Sequence, residues 1–510
     1  MKSNKFHNPA LLLISLSAVV LHLAFAGTLG YQRDEMLYFT LGNHPALGYA
    51  TVPPFTGWVA WLVQNTAGTG HYAVRLIPAL LSGGMVLLMA DMAGLMKGNA
   101  SSQLLAALSG LGAILFLRAF YLFQPVAFDI FFWTLSSWLL LKYINNPKPS
   151  TLVWTGFFLG LGFLNKYLIL LWLVSLLVSL SISSYRKIIM SRPFFMAGII
   201  AFLVALPNIV WQVANNLPVI NHMKELNETQ LVNVDRLNFL TDQLLMVWPA
   251  TFFLIPGLIV LLFGKSFREY RFLGYSALLV ILILMLLRGK AYYSAGVMPL
   301  LISAGCVWVG AILKGKPVFV IIPASVLIFL SAISLPMGIP VYKADKLVKY
   351  FDNVAEFMGS DAIRRDENGN FQKLPQDYAD MLGWDELADA TDKAWQGIPE
   401  KEAAFIYAEN YGQAAAISLI GRRLHLPEAV CFSESFRYWY PEKFEKEIKH
   451  LVYINDEEPG PDIKEIFSEI QLVGRIENPY AREYGTGVYI CSEPVSSFNR
   501  FWEERTKEIR

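Results

Sequence analysis

Asp34 and Glu35 stand side by side just after the first long apolar run, in YQRDEMLYFTLGNHPALGYATVPPF, which begins at Tyr31. A carboxylate in such a place can take a proton from a reacting hydroxyl. More charges flank later apolar runs: Asp129 closes YLFQPVAFD, Lys166 follows GFLN, and Arg288 and Lys290 lie in LLRGKAYYSAG with Tyr292 and Tyr293. Charge at membrane depth is costly, so each of these residues is a functional candidate. Carboxylates and cations gathered at one membrane face read as a site for an anionic ligand beside a base.

Plainer readings stand beside that one. Interfacial Lys and Arg commonly reach out to headgroups. Asp129 could cap a helix N-terminus. Tyr292 and Tyr293 could belong to an aromatic belt. Asp34 and Glu35, next to Arg33, could be solvated loop charges. His44 in GNHPALGY reads equally well as a turn residue or as a ligand. The convergence of all the charges is harder to dismiss than any one of them.

The elements that must carry these residues are membrane helices. The 510-residue chain is 55% hydrophobic and 16% charged, with a mean hydropathy of +0.41. Soluble chains average about 45–50% apolar and about 25% charged residues. The net charge of +1 says little about partners, because charge is distributed by side and not by total, and nothing in the chain resembles a basic stripe for nucleic acid. Runs long enough to span lie near 9–28, 72–95, 101–118, 120–144, 151–166, 167–184, 193–212, 240–263, 272–287, 294–313 and 317–336. That makes about eleven transmembrane helices. The run from Leu152 to Ile182 is too long for one span and is expected to split at Lys166. The first run carries AFAG near its end but exceeds a typical signal-peptide core, and is read as a retained span.

Basic residues set the orientation. With the N-terminus in the cytoplasm, the inner connections carry Lys2, Lys5, Lys97, Lys142, Lys148, Arg186, Lys187, Arg192, Lys265, Arg268, Arg271, Lys314 and Lys316, against Glu269 alone among acids. An odd number of spans then places the C-terminal part outside. The expected domains are a membrane domain over residues 1–340, with a first outer loop at 29–71, and an extracytoplasmic α/β domain over 341–510. Pro336 and Pro340 end the last span.

In the second domain AAFIYAE, EAVCFS, HLVYIND, IQLVGRI and TGVYICS read as strands and YGQAAAISLIGRR as a helix, which suggests a largely parallel sheet. YGTG near Tyr484 is a turn and not a phosphate loop. Cys306 reads as an apolar filler. Cys431 and Cys491 end strands and could pair in an oxidising compartment or be separately buried.

Several motifs resemble, in order, the GT-C polytopic glycosyltransferases, near the bacterial protein O-mannosyltransferase-like and lipid A aminoarabinose transferase-like enzymes. They are RDEMLYFTLGNHPALGY with the later PP, VAFDIFFWTLSSWLLLKYI, GFFLGLGFLNKYLILL, LPNIVWQVANNLPV and GKAYYSAGVMPLLISAG. YADMLGWDELADA and ENYGQAAAISLIG resemble the outer domain of one branch. The resemblance implies a multi-pass enzyme of the bacterial inner membrane. Its donor is a sugar, hexosyl or pentosyl, on a polyprenyl phosphate. It transfers that sugar at the outer face to a glycolipid, glycan or protein hydroxyl, inverting the anomeric carbon in one displacement.

Carried over, Asp34 is the base and Glu35 a supporting or acceptor-positioning carboxylate. Lys166, Arg288, Lys290, Tyr292 and Tyr293 bind the donor phosphate, while Pro53 and Pro54 fix the return of the loop. No cofactor is called for, and a divalent metal stays open. Two departures touch substrate contacts. Thr51 and Val52 precede the double proline where relatives often carry a charged residue or histidine, and RYWYPEKF after Phe436 replaces a Trp-Gly-Pro. The rival functions are a lipid or glycolipid transporter, which would favour inverted repeats and mid-membrane charges, and an inactive scaffold.

Overall fold

The computed structural model describes residues 8–313, 317–366 and 369–509, so the topology signals Lys2, Lys5, Lys314 and Lys316 lie outside the described residues. The chain forms two compact units. One comprises residues 1–26, 46–56 and 72–341, the other 27–45, 57–71 and 342–510. The segments expected to form a first outer loop are therefore shared between the units.

The first unit is helical, and every predicted apolar run contains helix. Among the described residues six helices are long and apolar enough to cross a membrane: His71–Leu95, Pro125–Asn145, Arg192–Ala214, Lys265–Leu286, Ala291–Ile312 and Val318–Gly338. Pro9–Ala24, Ile169–Ser181 and Thr251–Phe263 are shorter apolar helices. The chain is a multi-pass membrane protein.

Two predicted spans are broken. The run 101–118 divides at the extended Ala113 into helices Ala100–Gly112 and Ile114–Ala119. The run 240–263 divides between Arg236–Leu245 and Thr251–Phe263. The two breaks satisfy one another: Ile114 N–H donates to Trp248 O at 2.9 Å and Leu115 N–H to Met246 O at 2.8 Å. Broken backbone survives in an apolar medium only where protein partners replace the lost helical bonds. Hydropathy cannot register such an exchange.

Close helix contacts rest on small residues. Gly156 and Gly160 face the backbone of the Arg192–Ala214 helix at Ala197 and Ala201. Gly257 faces Leu301 O, and Gly305 faces Phe253 O. The helices Pro149–Asn165 and Ile169–Ser181 part at Lys166, where the split was expected.

The second unit holds the short helix Arg33–Thr40, most of Phe55–Thr66 and a four-stranded sheet. The strands are β1 (Ala404–Ala408), β2 (His450–Asn455), β3 (Phe467–Arg475) and β4 (Gly487–Pro494), in the order β1-β2-β4-β3. Only β1 and β2 run parallel; β4 is antiparallel to both β2 and β3. The α/β domain is thus present, but its sheet is mixed and not largely parallel. EAVCFS contributes a single bridge, Val430 to Tyr407, and no strand. Trp502 and Phe498 from the last helix pack with Phe405, Phe467 and Cys491 on one face of the sheet. Cys431 and Cys491 are buried free thiols, as is Cys306.

Candidate active site

The candidate residues fall into both units. In the first, GFLNKY ends one helix and opens the next. Asn165 is fully buried and accepts from Thr56 Oγ1 at 3.0 Å, while its amide donates to Pro125 O at 2.9 Å. It therefore ties the end of its own helix to the start of the Pro125–Asn145 helix. Lys166 is the capping residue, and its N–H still donates to Gly162 O. Tyr167 donates to Asn208 Oδ1 at 2.7 Å and accepts from Gln212 Nε2 at 2.9 Å. The side chains of Asn165 and Tyr167 thus fix the break on either side of Lys166.

The Lys166 ammonium lies 5.0 Å from the ring centroids of both Tyr292 and Tyr293. Those rings meet edge to face at 4.9 Å. The neighbouring charges acting on Lys166 are Asp129 and Lys290. Four of the five predicted phosphate ligands, Lys166, Lys290, Tyr292 and Tyr293, are thus neighbours within this unit, with Asp129 beside Lys166. Asp129 does not cap its helix. The N-cap is Gln124, and Asp129 sits a turn further in, buried, accepting from Trp133 Nε1 at 2.9 Å.

Lys290 Nζ donates to Gln230 Oε1 at 2.5 Å and Arg288 Nη1 to Val232 O at 2.7 Å. One short segment thus meets two of the predicted phosphate ligands. Among the described residues no contact links Arg288 to Lys166.

In the second unit, Asp34 and Glu35 open the helix Arg33–Thr40 but have different surroundings. The Gln32 side chain accepts from Asp34 N–H at 2.8 Å and Glu35 N–H at 3.1 Å, and the Glu35 carboxylate accepts from Gln32 N–H at 3.3 Å. This reciprocal cap engages Glu35, which is fully buried. Asp34 is only partly buried. Its Oδ1 accepts from the Tyr411 hydroxyl at 2.8 Å, and among the described residues its Oδ2 accepts nothing.

Tyr411 begins a helix capped by Asn410, with Gln413 closing the reciprocal bond. Burial first, and then the Asp34 carboxylate, push the Tyr411 phenol above its ordinary range, so it remains a donor at neutral pH. The Arg33 guanidinium covers the Tyr411 ring at 4.4 Å and pairs with Glu483 at 3.7 Å. Glu483 also accepts from Asn410, Gln413 and Thr486. Gly412 lies directly under Arg33, where a Cβ would strike the guanidinium stem. The Asn-x-x-Gln capping pattern around Tyr411 is readable in the sequence; its partnership with Asp34 is not.

His44 is a docking residue of this unit. Its Nε2 pairs with Glu428 at 2.8 Å, and its ring stacks on Trp439 at 4.2 Å. Asn43 donates to the same Glu428 and accepts from Arg422. RYWYPEKF, which lacks the expected Trp-Gly-Pro, supplies that stacking tryptophan. Among the described residues no three His, Cys, Asp or Glu side chains are grouped to hold a metal ion.

Residues 51–211 match the dolichyl-phosphate-mannose-protein mannosyltransferase family. The fold is similar to ArnT from Cupriavidus metallidurans bound to undecaprenyl phosphate, with TM-score 0.58 and 14% identity over 95% of this chain and 98% of that one. Against the apo state of the same protein the TM-score is 0.61 at 14% identity, over 94% and 97% of the two chains. The archaeal oligosaccharyltransferase AglB from Archaeoglobus fulgidus, in complex with an inhibitory peptide and a dolichol-phosphate, is similar with TM-score 0.53 and 12% identity over 88% and 69%. No curated protein sequence matches the chain. The relation to the GT-C superfamily, near the O-mannosyltransferase-like and ArnT-like enzymes, is borne out. It supports membrane glycosyl transfer as the class of activity.

Proposed function

We propose that this GT-C-related chain moves a sugar from a polyprenyl-phosphate donor to an acceptor hydroxyl at the outer face of the membrane. The observation that carries the reading is the gathering of Lys166, Lys290, Tyr292 and Tyr293 in an apolar helical unit. Two cations and two phenols suit a phosphate headgroup carried on a lipid, since phenols donate hydrogen bonds and cations offset charge. The undecaprenyl phosphate bound by ArnT and the dolichol-phosphate bound by AglB support a polyprenyl phosphate as the ligand here. The inhibitory peptide on AglB supports an acceptor as the second partner.

The roles follow from charge. The acceptor oxygen attacks the anomeric carbon, and its proton passes to Asp34. The bond from that carbon to the phosphate oxygen breaks, and its electron pair leaves with the polyprenyl phosphate. Lys166, Lys290 and Arg288 meet the charge that develops there. One displacement inverts the anomeric carbon. Glu35 supports Asp34 by holding the start of its helix. The proposed setting is a bacterial inner membrane, with the N-terminus inside and residues 341–510 outside.

The test is reconstitution in proteoliposomes. The donor is polyprenyl-phosphate sugar labelled by incubating host membranes with labelled nucleotide sugars, and the acceptor is total envelope extract. Label is expected to move to an acceptor fraction as polyprenyl phosphate is released. Translocation of the donor without transfer would overturn the proposal in favour of a transporter. A C-terminal reporter active only in the cytoplasm should stay silent.

A further inference from the structure

We infer that Tyr411 is the positioning residue for Asp34: its hydroxyl holds one carboxylate oxygen so that the other is presented to the acceptor. The inference rests on the reading of Asp34 as the base. Three observations carry it. The hydroxyl donates to Oδ1 at 2.8 Å while Oδ2 accepts nothing among the described residues. A carboxylate bound at one oxygen keeps the other lone pairs for an incoming proton.

The tyrosine itself is braced across its ring. Arg33 lies across its ring at 4.4 Å, and Glu483 holds Arg33 at 3.7 Å. Glu483 is fixed in turn by Gln413 at 3.0 Å. A donor braced in this way cannot swing off with its acceptor. Third, Asp34 lies on a helix of only eight residues, Arg33–Thr40, which is too short to hold a side chain by itself. The geometry at the base is therefore set from the helix that begins at Tyr411, through a side chain with no direct part in the bond changes.

The test uses the full chain in the labelled transfer assay, with Tyr411→Phe, Asp34→Asn and the double variant. Tyr411→Phe keeps the ring beneath Arg33 and removes only the hydroxyl. It is expected to lower the rate at saturating donor by about ten- to a hundredfold, the range for a hydrogen bond to a charged group. The half-saturating donor concentration and undecaprenyl phosphate binding should not change. Added to Asp34→Asn, Tyr411→Phe should cost less than about twofold, because a residue acting through Asp34 has nothing left to act on.

An equal loss in both backgrounds would make Tyr411 a purely structural residue and overturn the inference. So would a fully active Tyr411→Phe beside an inactive Asp34→Asn, which would leave the base reading standing. A Tyr411→Phe chain that fails to fold would show that the hydroxyl serves the fold, again overturning it. A fully active Asp34→Asn would instead sink the base reading itself.

Discussion

The Lys166 ammonium stands 5.0 Å from the ring centre of Tyr293 and equally far from that of Tyr292. An ammonium over a desolvated aromatic face gains about 2 kcal/mol or more. The two rings therefore hold this cation in place before any anion arrives.

Lys166→Met keeps the stem length and removes the charge. Binding of undecaprenyl phosphate to the purified variant should weaken by tenfold or more, because charge-assisted bonds are the strong ones. Arg288→Met should cost less, since Arg288 is turned to Val232 O. Fluorescence titration of both variants decides the ranking, and a larger loss at Arg288 would reverse it.

Asp34→Asn should slow transfer by roughly a hundred- to ten-thousandfold, the usual range for general-base assistance. The protein should still melt normally and bind undecaprenyl phosphate. Glu35→Gln should have little effect, because glutamine can accept the same cap bond from Gln32. Glu35→Ala should instead destabilise by about 0.5–2 kcal/mol through the lost cap. A dead Glu35→Gln beside an active Asp34→Asn would exchange the two roles.

Glu428 carries a pH signature. Burial works against its charge, but hydrogen bonds from His44 and Asn43 and the charge of Arg422 outweigh it and hold the carboxyl below the ordinary glutamate range. A depressed carboxyl contributes stability above its unfolded pKa and loses it as pH falls through the folded value. Wild type should therefore melt above Glu428→Gln at neutral pH, and the gap should close on acidification through and below the ordinary glutamate range. Both partners are more than a third exposed, so the contribution is limited to roughly 0–1 kcal/mol. A gap that widens in acid would contradict the assignment.

Gly257→Ala should destabilise the helical unit by about 1–3 kcal/mol, an overpacking cost. The new methyl would meet Leu301 O, a backbone atom that cannot swing aside. Gly198→Ala is the control, because a Cβ there meets nothing within 4 Å. It should be neutral or slightly stabilising through helix propensity. Melting in detergent separates the two, and equal Tm values would refute the close-packing argument.

Some of this was legible without coordinates. Apolar runs and flanking charges are local properties, so the membrane class, the break at Lys166 and the residue types around it could be read directly. The α/β character of the last third was readable for the same reason, since alternation and capping patterns act over a few residues. Strand direction was not: β4 lies between β2 and β3, and that choice depends on which edges find partners far along the chain. EAVCFS has strand-like composition, yet beyond one bridge it has no neighbour to complete a ladder.

The candidate chemistry divides in the same way. The sequence by itself determined that Asp34 and Glu35 are adjacent carboxylates just after the first apolar run. Only the tertiary structure decided that Glu35 is engaged in the cap while Asp34 meets Tyr411, 377 positions away. Likewise, Lys166 and Tyr293 were visible as candidates, but only the fold brings the Tyr293 ring, 127 positions further along the chain, to 5.0 Å from the Lys166 ammonium. The physical reason is range. Propensity, hydropathy and capping act between near neighbours, whereas the bond that orients a carboxylate or the ring that holds a cation comes from wherever packing brings the chain back.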